Sequence, residues 1–200
     1  MKNKILTAYP SSTFGTTKSD IFYIADFTKR TAQLEKSLRR GVEFLFDQPN
    51  DPYEPQKNMP CFVVSNPNHQ SVDYNVFDDH QFKNEYGEDE KHGECCFFPT
   101  KNDGRSWFCI VEIKDCAVNQ ISGYKKDLAE KMDSMINIFR SNVSIPNRIY
   151  FIVSFPRNNK IANNHALLAD YVDMKKYKKA VLVVTNSATI IDTHEIQFKI

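Results

Sequence analysis

Glu112 and Lys114 stand two residues apart at the end of the apolar run "WFCIVEIKDC", Trp107 to Cys116. Side chains alternate between the faces of a strand, so these two project to the same side. Charged groups seldom close a buried strand without a partner or a task. A glutamate is a hard oxygen ligand for Mg²⁺ or Mn²⁺, and Mg²⁺ typically takes one or two carboxylates together with phosphate oxygens and waters. A lysine on the same face can orient a water or offset charge on a phosphorane-like transition state. The pair therefore suits metal-assisted phosphodiester hydrolysis, which further requires a second acid, normally from the adjacent strand. The plain alternative is a pair at a sheet end, solvated or matched across the strands.

Several elements must position such a site. Two β-rich runs in "ECCFFPTKNDGRSWFCIVEIK" flank "KNDG", and Asp-Gly between such runs signals a hairpin. The stretch "KKDLAEKMDSMINIFR" reads as a helix, with Leu128, Met132, Met135, Ile136 and Phe139 forming one apolar stripe. "RIYFIVSF", 148 to 155, is continuously apolar, as expected for a strand buried on both faces. Upstream, residues 26 to 47 predict a helix from Leu34, Leu38, Val42 and Leu45, with Asp26 or Thr28 as its cap. The proline-rich 48 to 60 predicts a loop, "CFVVS" at 61 to 65 a short strand, and the polar 66 to 93 an irregular excursion. Residues 162 to 176 predict a further helix, and "KAVLVVTN" and "TIIDTHEIQFKI" two closing strands. The expected fold class is α/β, a central mixed β-sheet flanked by helices in a single domain of residues 1–200. Its core spans approximately 26–156, with a C-terminal α-β-β extension at 157–200.

The order hairpin, Glu-x-Lys strand, amphipathic helix, buried strand resembles the PD-(D/E)xK nuclease superfamily, with its restriction-endonuclease-like core of helix, three strands, helix, strand. The resemblance covers about a third of the chain, Glu94 to Pro156. It implies a Mg²⁺- or Mn²⁺-dependent nuclease acting on nucleic acid, in a setting such as phage defence or DNA processing. Glu112 corresponds to the motif carboxylate, Lys114 to the motif lysine, and Lys131 to a supporting residue on the helix behind. Glu43 or Glu35 would supply the first-helix acid that some subfamilies use. The sequence departs from the pattern on the preceding strand. Cys96 stands where an aspartate is expected, leaving Glu94 and the turn residue Asp103 as candidates for the second metal-binding acid. Hairpin register decides the matter. A two-residue loop at 102 and 103 sets residue 112 opposite 93, whereas one residue more sets it opposite Glu94. Asp103 has its own ordinary explanation in the Asp-Gly turn.

Phosphate contacts are expected from cations near this sheet. Arg148, Arg157 and Lys160 bracket the strand after the helix, and "KKYKK" places Lys175, Lys176, Lys178 and Lys179 around Tyr177. The five cysteines lack CxxC spacing, which argues against a zinc knuckle or a disulfide framework and for a reducing cytoplasm. Cys-His nucleophilic catalysis through His92 or His194 lacks a group to orient the imidazole. Net charge is +1, so the overall field announces neither nucleic acid nor membrane. No stretch approaches the length of a membrane-spanning helix, so no membrane partner is expected. A second expectation, from a different class, is a catalytically degenerate module that binds nucleic acid or protein. It would use the acidic segment 78 to 94, with seven acids against two lysines, or the terminal strands to hold a protein partner or form a homodimer.

Overall fold

The computed structural model describes residues 1–10, 13–158 and 180–199. In chain order the described elements are α1 (Lys2–Ala8), β1 (Thr13–Thr17), β2 (Ile21–Asp26), α2 (Thr28–Thr31), β3 (Val42–Leu45), β4 (Phe62–Ser65), β5 (Val72–Val76) and β6 (Cys95–Pro99). They continue with β7 (Trp107–Ile113), α3 (Lys125–Asn142), β8 (Arg148–Ser154), β9 (Ala180–Val184), β10 (Ser187–Ile190) and β11 (Ile196–Phe198). Short 3₁₀ turns at Lys36–Leu38 and Val118–Tyr124 join them.

Two mixed sheets form, and the fold class is α/β. The larger runs β1-β5-β6-β7-β8-β9, and the smaller β11-β10-β4-β2-β3. Within the larger sheet β5, β6 and β7 are antiparallel neighbours, while β8 and β9 run parallel to β7. Every residue of β7 is buried because both of its faces are covered. Trp107, Cys109, Val111 and Ile113 pack with Phe22, Ile24, Phe62 and Val64 of the smaller sheet. Phe108 and Ile110 face the other way, against Leu128, Met132, Met135, Ile136 and Phe139 of α3 and Ile5 of α1. Each fully buried side chain of this size contributes roughly 1.5–3 kcal/mol. The layers are thus sheet, sheet, helices, with a second sheet covering the face where a flanking helix layer was expected.

The helix expected over residues 26 to 47 does not form. Strand β2 continues to Asp26, one helical turn follows, and the chain returns as β3 with Tyr23 opposite Leu45 and Asp26 opposite Val42. Thr31 fastens this connection, its hydroxyl donating to Phe27 O at 3.0 Å while accepting from Arg40 N at 2.8 Å. The helical spacing of the leucines was fortuitous, since Leu38 is 57% exposed. The alternation of Val42 and Phe44 is the signal that counts, because pairing with β2 stacks Phe44 on Phe22 and Tyr74.

The excursion at 66 to 93 likewise contains a strand. Within "SVDYNVF" β5 lies between β1 and β6, its Asp73 accepting from Thr16 and its Asn75 Nδ2 donating to the carbonyls of Thr13 and Val76, while Asn75 Oδ1 is buried without a partner. Those buried polar side chains hid the strand in the sequence. The closing segment is two strands, β10 and β11, separated by a turn in which Asp192 accepts from the amides of His194 and Glu195. The helix expected at 162 to 176 lies outside the described residues. None of the described helices is long and apolar enough to cross a membrane.

Candidate functional site

The β6–β7 hairpin takes the longer of the two possible registers. Cys95 lies opposite Val111, Cys96 opposite Ile110 and Phe97 opposite Cys109. Just before β6 the regular ladder ends, the Glu94 amide donating to Val111 O at 2.9 Å, and this brings the Glu94 carboxyl near enough to Glu112 to feel its charge. Gly93 makes the approach feasible, since a Cβ there would come within 3.1 Å of both the Ile110 side chain and the Val111 carbonyl. Parity directs Glu112 and Lys114 to the α3 side of the sheet, with Phe108 and Ile110. There Lys131, one helical turn past Asp127, reaches down from α3.

Glu112 is fully buried. Its Oε1 accepts from Lys114 Nζ at 2.6 Å and from Lys131 Nζ at 2.7 Å. Its Oε2 is buried and lacks a hydrogen-bond partner. Lys114 also lies 3.9 Å from Asp127 and 5.2 Å from the centre of the Tyr124 ring. Burial alone would depress the Lys114 ammonium, but Glu112 beside it raises its pKa above the ordinary value. Glu94 shifts in the direction expected of a crowded acid. Burial first and the charge of Glu112 second raise its pKa from 4.5 to about 7, with Asp26 adding to the rise and Lys131 and Lys114 opposing it.

Of the residues singled out from sequence, Glu94, Glu112, Lys114 and Lys131 come together. Asp103 does not. It sits beyond the other end of β7, whose stretch from Trp107 to Glu112 alone spans about 17 Å by strand rise, and there the Arg105 amide and then His194 hold its pKa down to about 2. Glu43 is paired with Arg40 at 2.6 Å, and its strand partner Ala25 belongs to the outer cluster with Phe27, Met59 and Cys61. It therefore faces away from the larger sheet. Glu35 lies in an exposed turn. Arg148 is opposite Trp107, at the far end from Glu112, and donates to His194 O. Arg157 is at the near end, bound to Asp115. The two arginines thus do not share one edge, because a strand separates them. Lys160, Lys175, Lys176, Lys178 and Lys179 lie outside the described residues.

Two acids were missed. Asp26 closes β2 beside this end of the sheet, and Asp127 opens α3. The spacing of Asp127 four residues before Lys131 on one helix face was available in the sequence. The placement of Asp26 was not, because it depends on the sheet-on-sheet packing. The acidic segment is also docked rather than free. Lys91 bridges Asp127 at 3.2 Å and Glu130 at 2.6 Å, and Glu90 accepts from Ser134 at 2.7 Å.

Among the described residues no group of three His, Cys, Asp or Glu side chains is arranged to hold a metal ion. Two hard carboxylates do meet, and one carries an unpartnered buried oxygen, so the donor set suits an oxygen-seeking divalent cation that completes its shell with water and phosphate. No protein-family model matches the chain, nor does any curated protein or solved structure.

Proposed function

We propose that the chain is a PD-(D/E)xK-like hydrolase of phosphodiester bonds in nucleic acid. The observation that carries this reading is the buried Glu112 carboxylate, held by Lys114 and Lys131 with Oε2 left without a partner, and Glu94 just ahead of β6 close enough to feel its charge. The element order supports it, since antiparallel β5, β6 and β7 are followed by α3 and then by β8 parallel to β7. α1, which packs against α3, is available for the leading helix in place of residues 26 to 47.

Glu94 and Glu112 Oε2 would hold Mg²⁺ or Mn²⁺. When bound, such an ion supplies charge to stabilise the five-coordinate phosphorus and lowers the pKa of a coordinated water. Lys114 would hydrogen-bond the attacking water or a non-bridging phosphate oxygen, and Lys131 holds Glu112 in orientation through Oε1. A buried ion-pair cluster is weak evidence of a purely stabilising role, because packed apolar residues often serve stability as well. Its placement beside an acid with a strongly raised pKa is what functional sites share. The five unpaired buried thiols suit a reducing compartment such as the cytoplasm.

The test is incubation of duplex DNA, single-stranded DNA and RNA with the protein and Mg²⁺ or Mn²⁺, with EDTA as control. Cleavage is expected only with metal, and Glu112→Ala or Lys114→Ala should lower it by about 100-fold or more. Absence of cleavage with every substrate and both metals would reject the hydrolase. It would leave a second reading, a degenerate nuclease-fold module that binds without cutting. That reading is favoured by the two lysines that already engage Glu112 Oε1 and by the lack of a third metal-binding side chain among the described residues.

A further inference from the structure

Immediately beyond Lys114 the chain passes through a knot of cations drawn from three separate parts of the sequence. Lys29 of α2 donates to the Asp115 carbonyl at 3.2 Å. Arg30, the next residue, lies with its Nε 3.7 Å from the Asp115 carboxylate and its Nη2 3.3 Å from Asp51. Arg157, just past β8, donates from Nη2 to Asp115 Oδ2 at 2.6 Å. Lys29, Lys114 and Arg157 all act electrostatically on the thiol of Cys116, so these cations surround one point of the chain. Asp115 and Asp51 are nearly buried, at 8% and 6% side-chain exposure, so Lys29, Arg30 and Arg157 surround two shielded carboxylates. Lys29 is exposed and Arg157 is 46% exposed, leaving donors directed at solvent. Arg30, at 22% side-chain exposure, braces the cluster from behind between Asp51 and Asp115.

We infer that Lys29, Arg30 and Arg157, held in position by Asp115, form a second phosphate site flanking the Glu94–Glu112–Lys114 centre, and that the ligand is a polynucleotide strand rather than an isolated phosphodiester. The inference rests on the proposed function for the identity of the neighbouring centre. The physical case is one of spacing and chemistry. Lys114 and Asp115 are consecutive, so the two positions lie within the reach of neighbouring phosphates on one strand, which succeed each other by roughly 3.4 Å of duplex axis. Guanidinium groups bind phosphate through paired parallel hydrogen bonds, and a carboxylate behind them fixes the fork in advance. Asp115 is therefore a positioning residue, and Lys29 and Arg157 are the outward contacts.

The experiment measures binding rather than cleavage. A fluorescein-labelled 20-residue DNA duplex and an RNA of the same length are titrated with the full chain in EDTA by anisotropy, over a series of NaCl concentrations. Removing one phosphate-binding cation should flatten the slope of log affinity against log salt by about 0.7–0.9. Lys29→Ala/Arg157→Ala should thus lower the slope by about 1.5 and weaken binding about tenfold at low salt. Arg157→Lys keeps the charge and should keep the slope while losing part of the affinity. Melting temperatures accompany each variant, and Lys29→Ala, at an exposed position, reports alone if the double variant fails to fold. An unchanged slope and affinity in Lys29→Ala and in the folded double variant would overturn the inference, whether or not the wild type cleaves. A lowered slope in a protein that cleaves nothing would uphold the phosphate site and reject only the hydrolase.

Discussion

Glu94→Gln should make the protein more stable at alkaline pH. Glu94 is largely buried beside the buried charge of Glu112, and its pKa stands at about 7 against an ordinary 4.5. The folded chain therefore keeps a proton between these values that the unfolded chain has released. More protons bound in the folded state means that stability falls as pH rises through this window and levels off above it. The full shift corresponds to roughly 3 kcal/mol, and the sharing of charge with Glu112 and the two lysines makes about 2–3 kcal/mol a fair expectation. Glutamine has similar shape and no charge to repel Glu112. The variant should match wild type near pH 4.5 and exceed its unfolding free energy by about 2–3 kcal/mol at pH 8. Urea unfolding followed by Trp107 fluorescence, in EDTA and at several pH values, measures both curves. Parallel curves, or a variant weaker than wild type at pH 8, would show that Glu94 and Glu112 do not share a dry site.

Two further outcomes test the packing of the sheets. Gly15→Ala would place a Cβ 2.2 Å from the Tyr74 ring, forcing Tyr74 off its stack with Phe44, and should cost about 1–3 kcal/mol in urea unfolding, a loss largely relieved in a Tyr74→Leu background. Cys95, Cys96 and Cys109 are fully buried, with burial pushing each thiol far above its ordinary pKa, so a thiolate-seeking reagent should leave them unlabelled until denaturant is added. Rapid native labelling of any of the three would contradict the burial of β6 and β7.

The sequence by itself determined the elements whose patterns are local and strong. The stripe of Leu128, Met132, Met135, Ile136 and Phe139 made α3, the unbroken apolar run made β8, and the alternation through Trp107 to Lys114 put Glu112 and Lys114 on one face. The resemblance to the PD-(D/E)xK superfamily also nominated Lys131. Where two periods competed, as over 26 to 47, local pattern misled. The leucines suggested a helix, but the pairing of β3 with β2 and the stacking of Phe44 on Phe22 and Tyr74 are contacts between distant residues. Strand β5 was hidden for the same reason, since the partners of its buried Asp73 carboxylate and Asn75 amide nitrogen, Thr16 and the carbonyls of Thr13 and Val76, are fixed only by the fold.

At the site, the sequence supplied the charged pair but left the second acid undecided between Glu94 and Asp103. A shift of one residue in the hairpin sends a side chain to the opposite face, and the register rests on packing along the whole strand rather than on the turn. Only the tertiary structure put Glu94 beside Glu112, brought Lys131 down onto the same oxygen, and carried Asp26 and Arg30 across from the second sheet. Burial then made two ordinary glutamates into an interacting pair, because the charge of each is felt in full only where water is excluded.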